Sequence, residues 1–386
     1  MLAVESGDAH LKVKGLQTYT NSVRQMAMAI RDTKRANSDA VIAAVKLAVC
    51  YEILFGLDGD QYEQMGRISQ IVGWYGHVDG QLALFQQRGP EALVSGPGHR
   101  LFVGGRLDLV LVSISRRKRS PLSASRWMTQ PWELIPKSKM DEIVDILIEI
   151  TGHIEDLDIL RAHAGDVATA DELRDTLVYR CMQTYRTLVA WTETVGDALY
   201  AFDPNVVGLP LPTPSTDEDY ELLHLSIVYW ITSLFLYSTW EFALQQNIQP
   251  SYLTTGVSCI DSPPHLDSPQ SDTQISDTSS INYARRIAWS IHLFFAPGTG
   301  AWGANAALLP LGFALRFLMV KESGSPFSEE RKLLVSCFKK PFMGTFVGRF
   351  LRNFQEEESH PDLRNIPGIQ GMEMRARSWW LKGYGT

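Results

Sequence analysis

Three groups of charged side chains in this 386-residue chain lie close enough together to do chemistry. The first is acidic, His153-Ile154-Glu155-Asp156-Leu157-Asp158. On a helix, Glu155 and Asp158 stand three residues apart and share a face. Two carboxylates on one face suit Mg²⁺, which takes oxygen ligands and keeps several waters. Enzymes that break a diphosphate ester use such a pair to hold the leaving group through the metal. The second group, Arg285-Arg286, opens a helix predicted over Tyr283–Phe295 and offers a diphosphate its planar forks of donors. Trp289, His292, Phe294, Phe295 and Trp302 follow, as a cavity wall able to stabilise a cation or as ordinary core. The third group, Arg116-Arg117-Lys118-Arg119, precedes Ser120-Pro121. Four like charges fit a nuclear-import signal or a phosphate contact. They fit equally well the end of a helix, where cations oppose the dipole.

Motifs that would fix a reaction are missing. No G-x-G-x-x-G follows a strand, and no G-x-x-x-x-G-K-[ST] occurs. Gly298–Gly303 matches glycine spacing loosely but follows an aromatic helix, as a helix–helix turn would. There is no G-x-S-x-G. The four cysteines, Cys50, Cys181, Cys259 and Cys337, have no zinc-ligand spacing. His77, after Trp74-Tyr75, reads as a satisfied core histidine. No catalytic residue and no resident metal is therefore assigned. Mg²⁺ enters only with the diphosphate reading of Glu155 and Asp158. Even there, neither the D-D-x-x-D nor the N-D-x-x-S-x-x-x-E motif of ordinary terpene cyclases is present.

The elements that must position these residues are helices. Apolar residues recur at steps of three and four over His10–Asp32, and Val41–Phe55 is apolar on nearly every side. Ser138-x-x-Asp141, Thr169-x-x-Glu172 and Thr216-x-x-Asp219 read as capping boxes. They predict helices over Met140–Ala162, Ala170–Phe202 and Asp217–Gln246. Ser328 with Glu329-Glu330 opens another. The apolar runs Leu225–Tyr237 and Ala304–Val320 read as buried core helices, and no membrane span is expected. No sustained period-two run marks a strand. The expected fold is all-α, a single large helical domain of about ten helices with one disordered acidic loop. Residues 1–9 form a tail, 10–257 the first part of the domain and 281–386 its C-terminal part. Between them, 258–280 is a Ser/Asp/Pro loop without Lys or Arg, too polar to offset its ordering entropy.

Composition narrows the function classes. A formal net charge of −7 argues against a surface that is nucleic-acid-binding throughout, which needs clustered Lys and Arg. The N-terminus has no apolar run of the secretory kind, and the sparse cysteines fit a reducing compartment.

Several blocks, in order, carry a family resemblance. They are HLKVKGLQTYTNSVRQMAMAI, SDAVIAAVKLAVCYEILFG, GHVDGQLALFQQRGPEAL, WELIPKSKMDEIVDILIEITGHIEDLDIL, YWITSLFLYS and INYARRIAWSIHLFF followed by LLPLGFALRFL. Their succession resembles the fungal-specific transcription factor domain, the helical regulatory region found behind a zinc binuclear cluster. The resemblance implies a nuclear regulator of gene expression, with secondary-metabolite pathways among its targets. The six closely spaced cysteines of the zinc cluster are absent from this sequence, so no direct DNA contact is expected. Regulation would then run through contacts with other transcription regulators or a homo- or heterodimer partner, or through a small molecule in the helical core. Arg116, Arg117, Lys118 and Arg119 would serve import. The rival reading is a cytoplasmic, Mg²⁺-dependent terpene cyclase on the same scaffold. In it, Glu155 and Asp158 hold metal while Arg285 and Arg286 hold diphosphate. A third reading places a zinc cluster in a segment upstream of this sequence.

Overall fold

The computed structural model describes residues 9–56, 70–245, 279–296, 298–323, 326–340 and 343–358. The acidic loop expected over 258–280 lies outside these residues except for Ser279 and Ser280, and so does the tail except for Ala9. The described residues form α-helices and 3-10 turns, with no strand among them. The helices are α1 (Ala9–Arg31), α2 (Thr33–Ala36), α3 (Asp39–Phe55), α4 (Gln70–Arg88), α5 (Gly96–Ser115), α6 (Ser125–Thr129) and α7 (Lys139–Ala162). They continue as α8 (Val167–Val195), α9 (Pro204–Val207), α10 (Asp217–Gln245), α11 (Ser280–Ser290), α12 (Gly300–Lys321), α13 (Glu329–Cys337) and α14 (Met343–Glu358). Three of them, α2, α6 and α9, are single turns of four or five residues. The all-α domain expected from periodicity is the one observed.

Two of the three expected capping boxes form. Ser138 accepts from the N–H of Asp141 at 3.2 Å, and Asp141 accepts from the N–H of Ser138 at 3.0 Å. Asp219 likewise accepts from Thr216 N–H at 3.0 Å while its own N–H reaches Thr216 Oγ1 at 3.1 Å. The third does not form. Asp166 caps α8 instead, accepting from the Thr169 hydroxyl at 2.7 Å, so the helix starts at Val167 rather than Ala170. An ionised carboxylate is a stronger acceptor at a helix N-terminus than a hydroxyl, and here it wins. The predicted run to Phe202 also stops early. Gly196 takes φ +72°, a conformation open to glycine at little cost, and the chain leaves α8 in a 3-10 turn.

The helices pack as two layers. The first holds α1, α3, α4, α5 and the C-terminal α14, which returns to lie on α3 and α4. The second holds α7, α8, α10, α11, α12 and α13. One continuous apolar core runs through both, from Met26 to Leu351. The layers meet where α5 packs on α7, and where α12 packs on α3 and α14. Helices α10 and α12 have the length and apolarity of a membrane span. Within them, 72% and 61% of the most apolar stretches are buried by other helices, which accounts for their composition as core.

Candidate functional site

The seam between the layers holds a cavity of about 1000 Å³. That is at the upper end of the range of roughly 300–1,000 Å³ seen for small-molecule sites. Six helices line it: α3, α4, α5, α7, α10 and α12. Its walls are mainly aliphatic, with Trp74 on one side and Trp302 on the other. Trp302 is 45% exposed, so it stands at the mouth. Pro310 sits inside α12 and lacks an N–H, so the carbonyl of Ala306 has no i+4 donor. Both residues line the cavity.

A few polar groups punctuate this wall. On α3, Lys46 and Cys50 are one turn apart, and Asp108 of α5 lies 3.9 Å from the Lys46 ammonium. Burial raises the Asp108 carboxyl above its ordinary range, and Lys46 only partly opposes it. Burial, with the nearby Asp108 charge, also raises the Cys50 thiol and favours its neutral form. Arg106 is 1% exposed and ion-paired with Asp141 and Asp145, its guanidinium 4.9 Å from the Trp132 ring centre. His224 of α10 meets Trp302 and Phe294 edge-on, at 5.8 and 6.1 Å between ring centres. Burial lowers its pKa to about 4, so the ring is neutral near pH 7. Among the described residues, neither of its nitrogens has a hydrogen bond.

Behind the α3 and α4 walls lies a partly buried knot. The Tyr19 hydroxyl is 2.5 Å from Oε1 of Glu52 and 2.7 Å from Nε2 of His77. Gln70 donates to the Glu52 backbone carbonyl. Gly73 makes room for the carboxyl: a Cβ there would stand 2.9 Å from Glu52 Oε1. Burial raises the Glu52 carboxyl to about 7, against the lowering effect of the Tyr19 hydroxyl. His77 is thus a hydrogen-bonded core histidine, and burial lowers its pKa. The knot ties α1 to α3 and α4, and therefore holds Ile53 and Trp74 on the cavity wall.

The charged groups singled out in the sequence lie elsewhere, and two of them meet each other. The basic run leaves the end of α5 and lies along the acidic face of α7. Arg117 forms a fork to Asp158, with Nε and Nη2 each 2.7 Å from an oxygen. It does so in a left-handed backbone conformation, φ +54°. Lys118 reaches Glu155 at 3.2 Å, and Arg119 reaches Asp156 at 3.1 Å. Arg116 turns back to α4, forking to Asp79 at 2.6 and 2.9 Å over the Tyr75 ring. Arg161 and Arg180 add to the same lattice. Glu155 and Asp158 therefore face guanidinium and ammonium groups. Among the described residues, no cluster of three metal-ligating side chains occurs. Arg286 pairs with the fully buried Asp203 at 2.9 Å, and Arg285 with Glu322 at 3.5 Å. Neither arginine lines the cavity, and neither do Glu155 and Asp158. Trp302 does, and Trp289 instead donates to Glu330 at 3.3 Å.

Sequence reasoning missed Asp108, Arg106 and His224. Arg106 and Asp108 stand two residues apart in the apolar α5 and His224 stands alone in α10, and none of them belongs to a recognisable motif. No family model, curated protein or solved structure matches the chain. The resemblance to the transcription factor domain therefore rests on the order of the motifs.

Proposed function

We propose that the protein is a transcription-factor-like regulator without a zinc cluster in this sequence. It binds a small apolar molecule in the seam cavity and conveys its occupancy to a protein partner. The seam cavity carries this reading: about 1000 Å³ of mainly aliphatic space between two helical layers, with few polar groups. A ligand there touches both layers at once, and so biases how they sit together. The cyclase reading has less support. Its carboxylates are held by Arg117, Lys118 and Arg119, and its arginines by Asp203 and Glu322.

The test tethers the chain to an unrelated DNA-binding domain that carries its own import signal, and reads a reporter gene. Leu107→Trp, which adds bulk at the cavity wall, is expected to change the output at least threefold while the protein stays folded. An output that neither the chain nor the variant moves contradicts the proposal.

A further inference from the structure

We propose that the cavity selects an uncharged, largely hydrocarbon molecule bearing a hydroxyl or carbonyl group, which hydrogen-bonds to His224. This rests on the ligand-binding reading of the cavity and names the class of ligand.

The charges around the cavity argue against an anion. Each cation on the wall already has an anionic partner: Lys46 with Asp108, Arg106 with Asp141 and Asp145, and Lys139 with Glu142 at 2.9 Å. Lys46 also donates to the carbonyl of Gly104. An entering carboxylate or diphosphate would have to displace one of these partners, or be buried without one. The mouth carries Glu218 and Glu221, both exposed, which repel an anion further. A cation does little better. Its deep partners would be Asp108, which already faces Lys46 and whose ionised form burial disfavours, and Asp141, already held by Arg106 and Ser138. Glu218 and Glu221 lie in water, where ion pairs contribute little.

A neutral polar group meets none of these penalties and, besides the exposed Asn305 amide, finds two complements. The His224 ring, uncharged and without a hydrogen bond among the described residues, offers one donor and one acceptor. The Ala306 carbonyl, left without its helical donor by Pro310, is an acceptor on the α12 wall. A hydroxyl can donate to either and accept from His224. The rest of such a molecule would be covered by aliphatic side chains and by the rings of Trp74 and Trp302.

The experiment measures binding of four probes with one fifteen-carbon skeleton to the full chain by equilibrium dialysis. These are farnesol, the hydrocarbon farnesene, farnesylamine and farnesyl diphosphate. Farnesol is expected to bind at least tenfold more tightly than the amine or the diphosphate. His224→Phe keeps the ring bulk and removes its hydrogen-bonding nitrogens. It is expected to weaken farnesol by about fivefold, the effect of one hydrogen bond, and to leave farnesene unchanged. The proposal is overturned if the diphosphate or the amine binds as tightly as farnesol, if no probe binds, or if His224→Phe leaves farnesol affinity intact. The regulatory reading fails separately. Should farnesol bind while the tethered reporter ignores Leu107→Trp, the ligand class stands and the regulatory role falls. Should no probe bind while Leu107→Trp still moves the reporter, the reverse holds.

Discussion

The ion-pair lattice between α5 and α7 and the cavity at the seam are built on opposite principles. In the lattice, five cations (Arg117, Lys118, Arg119, Arg161 and Arg180) meet three carboxylates (Glu155, Asp156 and Asp158) at a partly exposed surface. Water and salt weaken each pair, so the lattice orients the α5 end more than it stabilises the fold. At the seam, few charges stand among many apolar atoms, and the buried ones, Arg106, Asp108 and Asp141, each lie beside an opposite charge. The difference shows why charge clustering in a sequence is a poor guide to a site. Two opposite clusters on adjacent helices can simply satisfy each other. A lone histidine or aspartate on an apolar wall keeps unused hydrogen-bonding capacity.

If that contrast holds, substitutions at the seam cost far more than those in the lattice. The largest effect is expected at Arg106. Removing a 1% exposed guanidinium leaves Asp141 and Asp145 without it in a dry site. Arg106→Ala should lower unfolding stability by about 3–5 kcal/mol in urea titrations. A loss below about 1 kcal/mol would place Arg106 on a par with the surface pairs.

Next comes the knot behind the wall. Glu52 has a folded pKa of about 7 against an ordinary value of 4.5. Between those values the folded chain holds a proton that the unfolded chain has released. Stability from this group is therefore present below pH 4.5 and lost as pH rises towards 7, by on the order of 3 kcal/mol. His77 acts in the other direction, since a buried neutral ring loses stability as pH falls below 6.5. The comparison with Glu52→Gln isolates the carboxyl. The variant should gain on the wild type from pH 5 to about pH 7 and level off above it, and parallel stability profiles would refute the buried-acid assignment.

The smallest effects belong to the lattice. Asp158→Asn, which weakens the Arg117 fork, should cost about 1 kcal/mol, and less in high salt. Lys118 is 69% exposed at its side chain, and Lys118→Ala should stay within about 0.5 kcal/mol of wild type.

Much of the fold was legible in the sequence because helices are local. Periodicity located α1, α3, α10 and α12 to within two residues at most ends, and Ser138 with Asp141 marked the start of α7. The failures were also local. Thr169-x-x-Glu172 has the spacing of a box, but Asp166 is the stronger cap three residues earlier. The site was far less legible. The pairs between the basic run and α7 join residues 36 to 41 positions apart, a pairing that helix periodicity does not encode. The cavity needs the relative placement of six helices. Its polar groups, Arg106 with Asp108 on α5 and His224 on α10, look in sequence like interruptions of apolar stretches and form no motif. Of the aromatic residues read from the sequence as a cavity wall, Trp289, His292, Phe294, Phe295 and Trp302, only Trp302 lines it.

The most direct measurement of the central claim, that function resides at the seam and not in the charge lattice, is the tethered reporter read for two variants side by side. Leu107→Trp at the cavity wall should shift output at least threefold, and Lys118→Ala in the lattice should leave it at the wild-type level. The account is contradicted if Lys118→Ala shifts output as strongly as Leu107→Trp, or if Leu107→Trp leaves it unchanged.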